Sequence, residues 1–441
     1  MRRLLQLDVC VTLSLLLLLL QLAQSQHQSQ LQSKSILNTM ANTDSNNVAE
    51  FSRRLANFSM ELYGKLISLK PNQNVVFSPF SIQSCAAMAR LGASGETAAQ
   101  LDRGLGLISS DAAQIASSFH EVIAAYENST ILRIANKIYV MKGYELRDEF
   151  SSLLTKQFLS AAEHVDFAKN VEAARLINSW VEQRTNNLVK DLVPASALDS
   201  DSRLVLVNAI HFKGNWVHPF PEHSTHNERF HLNEIDGIDV PMMNLKERLR
   251  YADLPSLDAS ALELPYENSD LSMLILLPKS KTGLPQLEEK LRNTPLAEIT
   301  EHLHKTQVLV KLPKFKSEFE VELTDAFKQL GMTHLFSNQA DFSKMLKSPE
   351  DLKVSKIIHK AFIDVNEKGT EAAAATGVVV RKKRSLISQQ EPIEFHADHP
   401  FIYVLAHQQT LPLFFGSVVQ LDVATCCSCA STTAVNEHDE L

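Results

Sequence analysis

Residues 366–392 read NEKGTEAAAATGVVVRKKRSLISQQEP, and the two halves of this stretch have opposite requirements. Gly369 to Val380 consists almost wholly of small or β-branched residues with one charge, Glu371, and suits either a helix or a strand. In a strand successive side chains alternate between faces, so Thr370, Ala372, Ala374, Thr376, Val378 and Val380 share one uncharged face while Glu371 points the other way. Arg381, Lys382, Lys383 and Arg384, followed by Ser385, put four positive charges in a row. That half stays in water, because burying an unpaired charge is prohibitive.

The separation of the halves is informative. At ~3.3 Å per residue, the chain from Glu367 to Arg384 spans roughly 55 Å when extended. A compact domain of this size has a diameter of about 55 Å. If the alanine-rich half entered a sheet as a strand, the basic end would cross the whole molecule. At about 1 kcal/mol net per backbone hydrogen bond, a dozen inserted residues release on the order of 10 kcal/mol.

The segment EKGTEAAAATG, together with FHADHPFIYVLAHQQTLPLFFGSVV starting at Phe395, closely resembles the hinge and C-terminal signature of the serpins. The resemblance runs from about Val48 to Val423. It implies an α+β fold with a large, mainly antiparallel central sheet, two further sheets, eight to nine helices and an exposed reactive-centre loop, here about 367–392. It also implies the activity: the loop baits a serine protease, and cleavage lets the hinge (Glu367, Gly369, Thr370, Glu371, Ala372, Ala373, Ala374, Ala375 and Thr376) enter the main sheet as a strand. Bulky or charged inward residues would block that entry, and here they are Thr and Ala.

The whole chain is consistent with one large domain. It has 441 residues, 44% of them hydrophobic and 21% charged, with no internal repeat and no long linker. Residues 1–25 read as a secretory signal peptide: Arg2 and Arg3, then the apolar run Val9 to Leu20, then Ala23-Gln24-Ser25. That apolar run is short for a membrane span. Removing residues 1–25 leaves 41 basic and 50 acidic residues, a net charge of −9 that argues against nucleic acid as a partner. Residues 26–46 are rich in Gln, Ser and Asn and read as disordered, 47–423 as the folded domain, and 424–441 as a tail. Cys10 leaves with the signal peptide, Cys85 reads as a buried thiol, and Cys426, Cys427 and Cys429 crowd the tail; no core disulfide framework is expected. The last four residues, His438, Asp439, Glu440 and Leu441, match a retrieval signal read by an endoplasmic-reticulum receptor.

Along the chain, Val48, Phe51, Leu55, Phe58, Leu62, Leu66 and Leu69 recur at helical spacing. Asn57 and Asn128 head glycosylation sequons, Asn128 being better placed because Asn57 lies between buried turns. After the apolar strand Val75-Val76-Phe77, Ser78 caps a helix with Pro79 at its first position and Gly92 at its end. Arg203 to Phe212 reads as a strand covered on both faces, so Asn208 within it needs hydrogen-bond partners. Thr324 is placed to cap a helix over Asp325 to Leu330 that Gly331 ends. Ile357, His359, Ala361, Ile363 and Val365 share one face of a strand, which makes His359 a buried, neutral core residue. The resemblance assigns Ser78, Ser81, Asn208 and His359 to the shutter beneath the centre of the sheet, with His359 reaching Asn208 or a shutter serine. It assigns Lys213-Gly214-Asn215-Trp216 to the top of the sheet, where the hinge first enters; an ordinary core aromatic is the alternative for Trp216.

No catalytic constellation is present: there is no G-x-S-x-G elbow, H-E-x-x-H, P-loop or glycine-rich dinucleotide turn, and the 16 histidines show no ligand spacing. Neither an enzyme nor a metal or other cofactor is therefore expected. The basic quartet carries the function. It reads as a solvated loop, as a nuclear signal that conflicts with the signal peptide, or as bait matching the R-x-K-R preference of furin-like proprotein convertases, with Arg381 and Arg384 as anchors and Lys383 as the third contact. Position in a hinge-bearing loop favours bait. The commonest family spacing cuts after Lys383, whereas convertase preference cuts at Arg384–Ser385, the bond adopted here. The expectation is a monomeric inhibitor of the secretory pathway. The alternatives are an inhibitor of trypsin-like proteases, a non-inhibitory resident chaperone of the same family, and a plain precursor processed at the quartet.

Overall fold

The computed structural model describes residues 47–107, 111–127, 129–348, 350–370 and 391–421. The stretch read as a signal peptide, the 26–46 segment, Asn128, Glu371 to Thr376 of the expected hinge, Arg381 to Ser385 and the tail with its cysteines and terminal tetrapeptide lie outside these residues. Residues up to Glu50 and Phe51–Leu441 form separate compact units; in the first, residues 47–50 are helical.

The larger unit begins with helix α1 (51–69), which buries Phe51, Leu55, Phe58, Leu62 and Leu66 at the expected spacing. There follow β1 (Val75–Phe77), α2 (Pro79–Gly92), α3 (Gly95–Gly104), α4 (Ala112–Tyr126), β2 (Leu132–Met141), α5 (Asp148–Gln157), β3 (Ala162–Val165) and α6 (Asn170–Arg184). The middle of the chain holds β4 (Leu204–Phe212), β5 (Gly214–Asn215), β6 (His226–His231), β7 (Gly237–Leu254), β8 (Ala259–Pro265) and β9 (Leu271–Pro278). It ends with α7 (Leu284–Leu291), α8 (Leu296–Glu301), β10 (His304–Pro313), β11 (Phe315–Glu322), α9 (Thr324–Gln329), β12 (Val354–Asn366), β13 (Gly369–Thr370), β14 (Ile393–His396), β15 (Phe401–His407) and β16 (Leu411–Val418).

Two sheets carry the fold. The central one has the order β3-β2-β4-β12-β13-β5, with β11 on the far side of β12. The other has nine strands in the order β1-β16-β15-β9-β8-β7-β10-β14, with β6 on β7. The two further sheets expected from the resemblance meet in β7: this 18-residue strand pairs β6 and β10 along its length and β8 through Arg250 to Leu254.

Strand β4 is buried at every position because it has a core on both faces. Leu204, Leu206, Ile210 and Phe212 join the main core, while Val205, Val207 and Ala209 face a smaller cluster capped by Ala173, Ala174, Ile177 and Val181 of α6.

Local signals explain most boundaries. Ser78 is the N-cap of α2, its side chain accepting from the Ser81 N–H, with Pro79 opening the helix. Gly92 ends it for a packing reason, since a Cβ there would lie 2.7 Å from Cβ of Met345. The cap expected at Thr324 is not formed. Leu323 holds that position, and Thr324 is the first helical residue; its backbone N–H and its hydroxyl both donate to the Glu322 carboxylate, which takes over the acceptor role expected of Thr324. Gly331 follows in the left-handed conformation at φ 85°.

Candidate functional site

Strands β4 and β12, the middle of the central sheet, run parallel, paired from Val354 opposite Leu204 to Phe362 opposite His211. Above that point they part. β12 continues to Asn366, and β13 folds back between it and β5, with Thr370 opposite both Val365 and Gly214, and Gly369 opposite Asn366 and Asn215. Hinge residues Gly369 and Thr370 therefore form a strand at the mouth of the sheet, antiparallel to both neighbours.

An aromatic wall lines the mouth. Tyr266 stacks on Trp216 at 4.3 Å between ring centroids and meets Phe212 edge-on at 4.7 Å. Its hydroxyl lies 2.7 Å from Oγ1 of the buried Thr370. Trp216 holds the preceding turn twice: its indole Nε1–H donates to the Asn366 carbonyl (3.0 Å) and its backbone N–H to the Lys368 carbonyl (2.9 Å). At Gly369 a Cβ would fall 2.0 Å from the Gly214 carbonyl oxygen and 2.7 Å from Cα of Asn215, backbone atoms that cannot move aside.

Glu367 anchors the hinge's root. Its carboxylate accepts from Oγ1 of Thr225 (2.9 Å) and pairs with Lys314 (3.0 Å). Burial opposes the charge on this carboxyl, but its own backbone N–H, Lys314 and Thr225 prevail and hold it below the usual glutamate range.

Beneath the closed part of the sheet lies a buried polar network. Nδ1 of His359 bonds Oδ1 of Asn208, and Nε2 accepts the Ser78 backbone N–H at 3.3 Å. An N–H that donates to Nε2 requires that nitrogen to be bare, so the ring is neutral with its proton on Nδ1. Burial pushes its pKa down to about 3. The Asn208 amide donates to Oγ of Ser81 (2.5 Å) and to Oδ1 of Asn136; Ser81 in turn donates to Oδ1 of Asn136 (2.8 Å). The side-chain bond from Asn208 to His359 thus ties β4 to β12.

The serpin family, described as serine protease inhibitors, matches residues 53–421 of this sequence. The chain is a serpin. Among curated relatives it is 39% identical to alaserpin of Manduca sexta over 368 residues, 82% of this chain and 92% of that one. Among solved structures it resembles cleaved Serpin 42Da at 67% identity and a TM-score of 0.78, covering 85% of this chain and all of the other. Serpin48 of the insect Tenebrio molitor matches at 33% identity and a TM-score of 0.77, over 85% of this chain and 98% of that one.

In this serpin the residues anticipated from sequence fall into two groups. Ser78, Ser81, Asn208 and His359 meet in the network, and Trp216, Glu367, Gly369 and Thr370 meet at the mouth. Asn57 is exposed on α1, while Ser59 of its sequon is buried and bonded to the Leu55 carbonyl. Cys85 is buried, its thiol pushed up to about 12. Among the described residues no cluster of His, Cys, Asp or Glu could hold a metal ion, and no helix is long and apolar enough to cross a membrane.

Sequence reasoning missed Asn136, Tyr266, Thr225 and Lys314. Asn136 had a signal: it interrupts the inward apolar set Leu132, Ile134, Ile138 and Val140 of β2. The other three had none, because the groups they serve lie 53 or more residues away in sequence.

Proposed function

We propose that this serpin inhibits furin-like proprotein convertases by offering Arg384–Ser385 as bait and inserting its hinge between β4 and β12 after cleavage. The observation that carries the reading is the seating of Thr370. Continuing its register against Val365 sets Ala372 opposite Ile363, Ala374 opposite Ala361, Thr376 opposite His359 and Val378 opposite Ile357. All five β12 partners are buried, and residues paired across strands share a face. Hydroxyls then arrive where the inner face is polar, at Tyr266 for Thr370 and at His359 and Asn208 for Thr376, with alanines between. Entry breaks the one ladder joining β4 to β12 and makes two, so the gain is roughly one ladder of bonds at about 1 kcal/mol each.

In the proposed reaction the protease serine attacks the carbonyl of Arg384 and forms an acyl-enzyme, with Ser385 leaving as the new amino terminus. Insertion ahead of hydrolysis drags the acylated protease across the domain. A 67% identical relative has been solved in a cleaved form, which supports cleavage of the loop. The signal peptide and terminal His438 to Leu441 point to action in the secretory pathway, with retrieval to the endoplasmic-reticulum lumen through its receptor.

The test is incubation with furin. An SDS-stable complex, together with a released fragment whose mass begins at Ser385, supports the proposal; a fragment beginning at Arg384 moves the bond to Lys383. Clean cleavage without a complex leaves a processed precursor or a resident chaperone. A complex with trypsin and none with furin transfers the target to trypsin-like proteases.

A further inference from the structure

A cavity of about 560 Å³ opens beside β2, among α4, α5 and α6. Strand β3 pairs β2 only from Ile138 to Met141, so among the described residues no strand covers that side of residues 132–137. The lining is amphipathic. Tyr126, Phe158 and Trp180 supply aromatic surface, and Arg133, Lys137 and Arg184 supply positive charge against one acid, Glu127.

The cations differ in what they already hold. Lys137 is engaged, 2.5 Å from Glu163 and 4.7 Å over the Trp180 ring. Arg184 is exposed. Arg133 is different: its Nε is fully buried and has no hydrogen-bond partner in the structure. A buried, unmatched donor on a charged side chain is costly to leave unsatisfied. It is the kind of group that a ligand oxygen relieves, and a guanidinium matches a carboxylate in geometry as well as in charge.

We propose that this cavity is a binding site for an amphipathic carboxylate, its anionic head on Arg133 and its apolar body against Phe158 and Trp180. The proposal does not rest on the reading of the protease target. The cavity is linked to the sheet through Asn136, which lines it and closes the hydrogen-bond network beneath β4. A ligand that binds this arrangement stabilises it.

The experiment is titration calorimetry of the full-length protein with laurate, and with dodecanol as the uncharged probe. Laurate is expected to bind saturably at one site per chain, at least tenfold more tightly than dodecanol. Arg133→Gln should weaken laurate at least tenfold, Arg133→Lys less, and dodecanol should be unaffected by either. A matching readout is the melting temperature, which laurate should raise in the wild type and not in Arg133→Gln; it also shows whether the unliganded variant is folded. Absence of saturable laurate binding, equal affinity for the two probes, or unaltered laurate affinity in a folded Arg133→Gln overturns the proposal.

Discussion

Thr370 and Tyr266 are joined by a 2.7 Å hydrogen bond between Oγ1 and the phenolic hydroxyl, at the point where β4 and β12 separate. Both residues are buried, so neither hydroxyl has water as an alternative partner. Tyr266→Phe removes the bond and leaves Oγ1 of Thr370 unsatisfied at a cost of about 1 kcal/mol. The thermal midpoint of the uncleaved protein should fall in this variant at a fixed scan rate, while Tyr266→Phe combined with Thr370→Val should recover part of the loss.

The seating of Thr370 also sorts the hinge into inward and outward positions. Ala374 would enter opposite Ala361, which is wholly buried, and Ala375 opposite Lys360, whose amine pairs with Glu318 at 2.9 Å and Glu320 at 3.4 Å. Ala374→Glu should therefore turn the protein from an inhibitor into a substrate, cut without an SDS-stable complex and without the rise in melting temperature that cleavage of the wild type should bring. Ala375→Glu should still form the complex. Equal behaviour of the two variants would show that the hinge does not enter in this register.

Gly369→Ala should be more disruptive than its size suggests. The new Cβ would lie 2.0 Å from the Gly214 carbonyl oxygen, and the residue's φ of 155° is one that side-chain-bearing residues rarely adopt. The hinge must leave the mouth, freeing the Trp216 contacts on the preceding turn. Indole fluorescence should shift to the red, and limited proteolysis should reach Lys368 faster than in the wild type.

His359 makes stability depend on pH. Its folded pKa is depressed to about 3, whereas the unfolded chain takes up a proton near 6.5. The unfolded state thus binds more protons throughout that window, so the contribution is whole above pH 6.5 and is lost as pH falls towards 3. At 1.36 kcal/mol per unit the loss is on the order of 5 kcal/mol. In His359→Gln, where an amide can accept from Ser78 and donate to Asn208 without titrating, unfolding measured between pH 7 and 4 should show a shallower decline. A variant slope equal to that of the wild type would assign the acid sensitivity to other groups.

Much of this architecture was legible in the residues. The alternation around His359 identified an inward histidine, and the unbroken apolar run of β4 signalled a strand buried on both sides, so Asn208 had to have buried partners. Legibility failed where the partner comes from a distant strand: the register that brings Tyr266 to Thr370 depends on how β5 meets β13, and no local spacing encodes it. It failed also at Thr324, where the cap residue was chosen by side-chain type, but the carboxylate of Glu322 accepts the first helical N–H instead. The unmatched Nε of Arg133 had no signature either, since an arginine on an exposed-looking strand edge is ordinary until the short reach of β3 is known.

The parallel contact between β4 and β12 is open at one end only. Any strand that fills it has to start beside Tyr266 and advance towards Ser78, each new pair splitting the one ahead. A molecule halted part-way is consequently occupied from the top down, and the surviving β4–β12 amide protection would record, residue by residue, how deep the advance had gone.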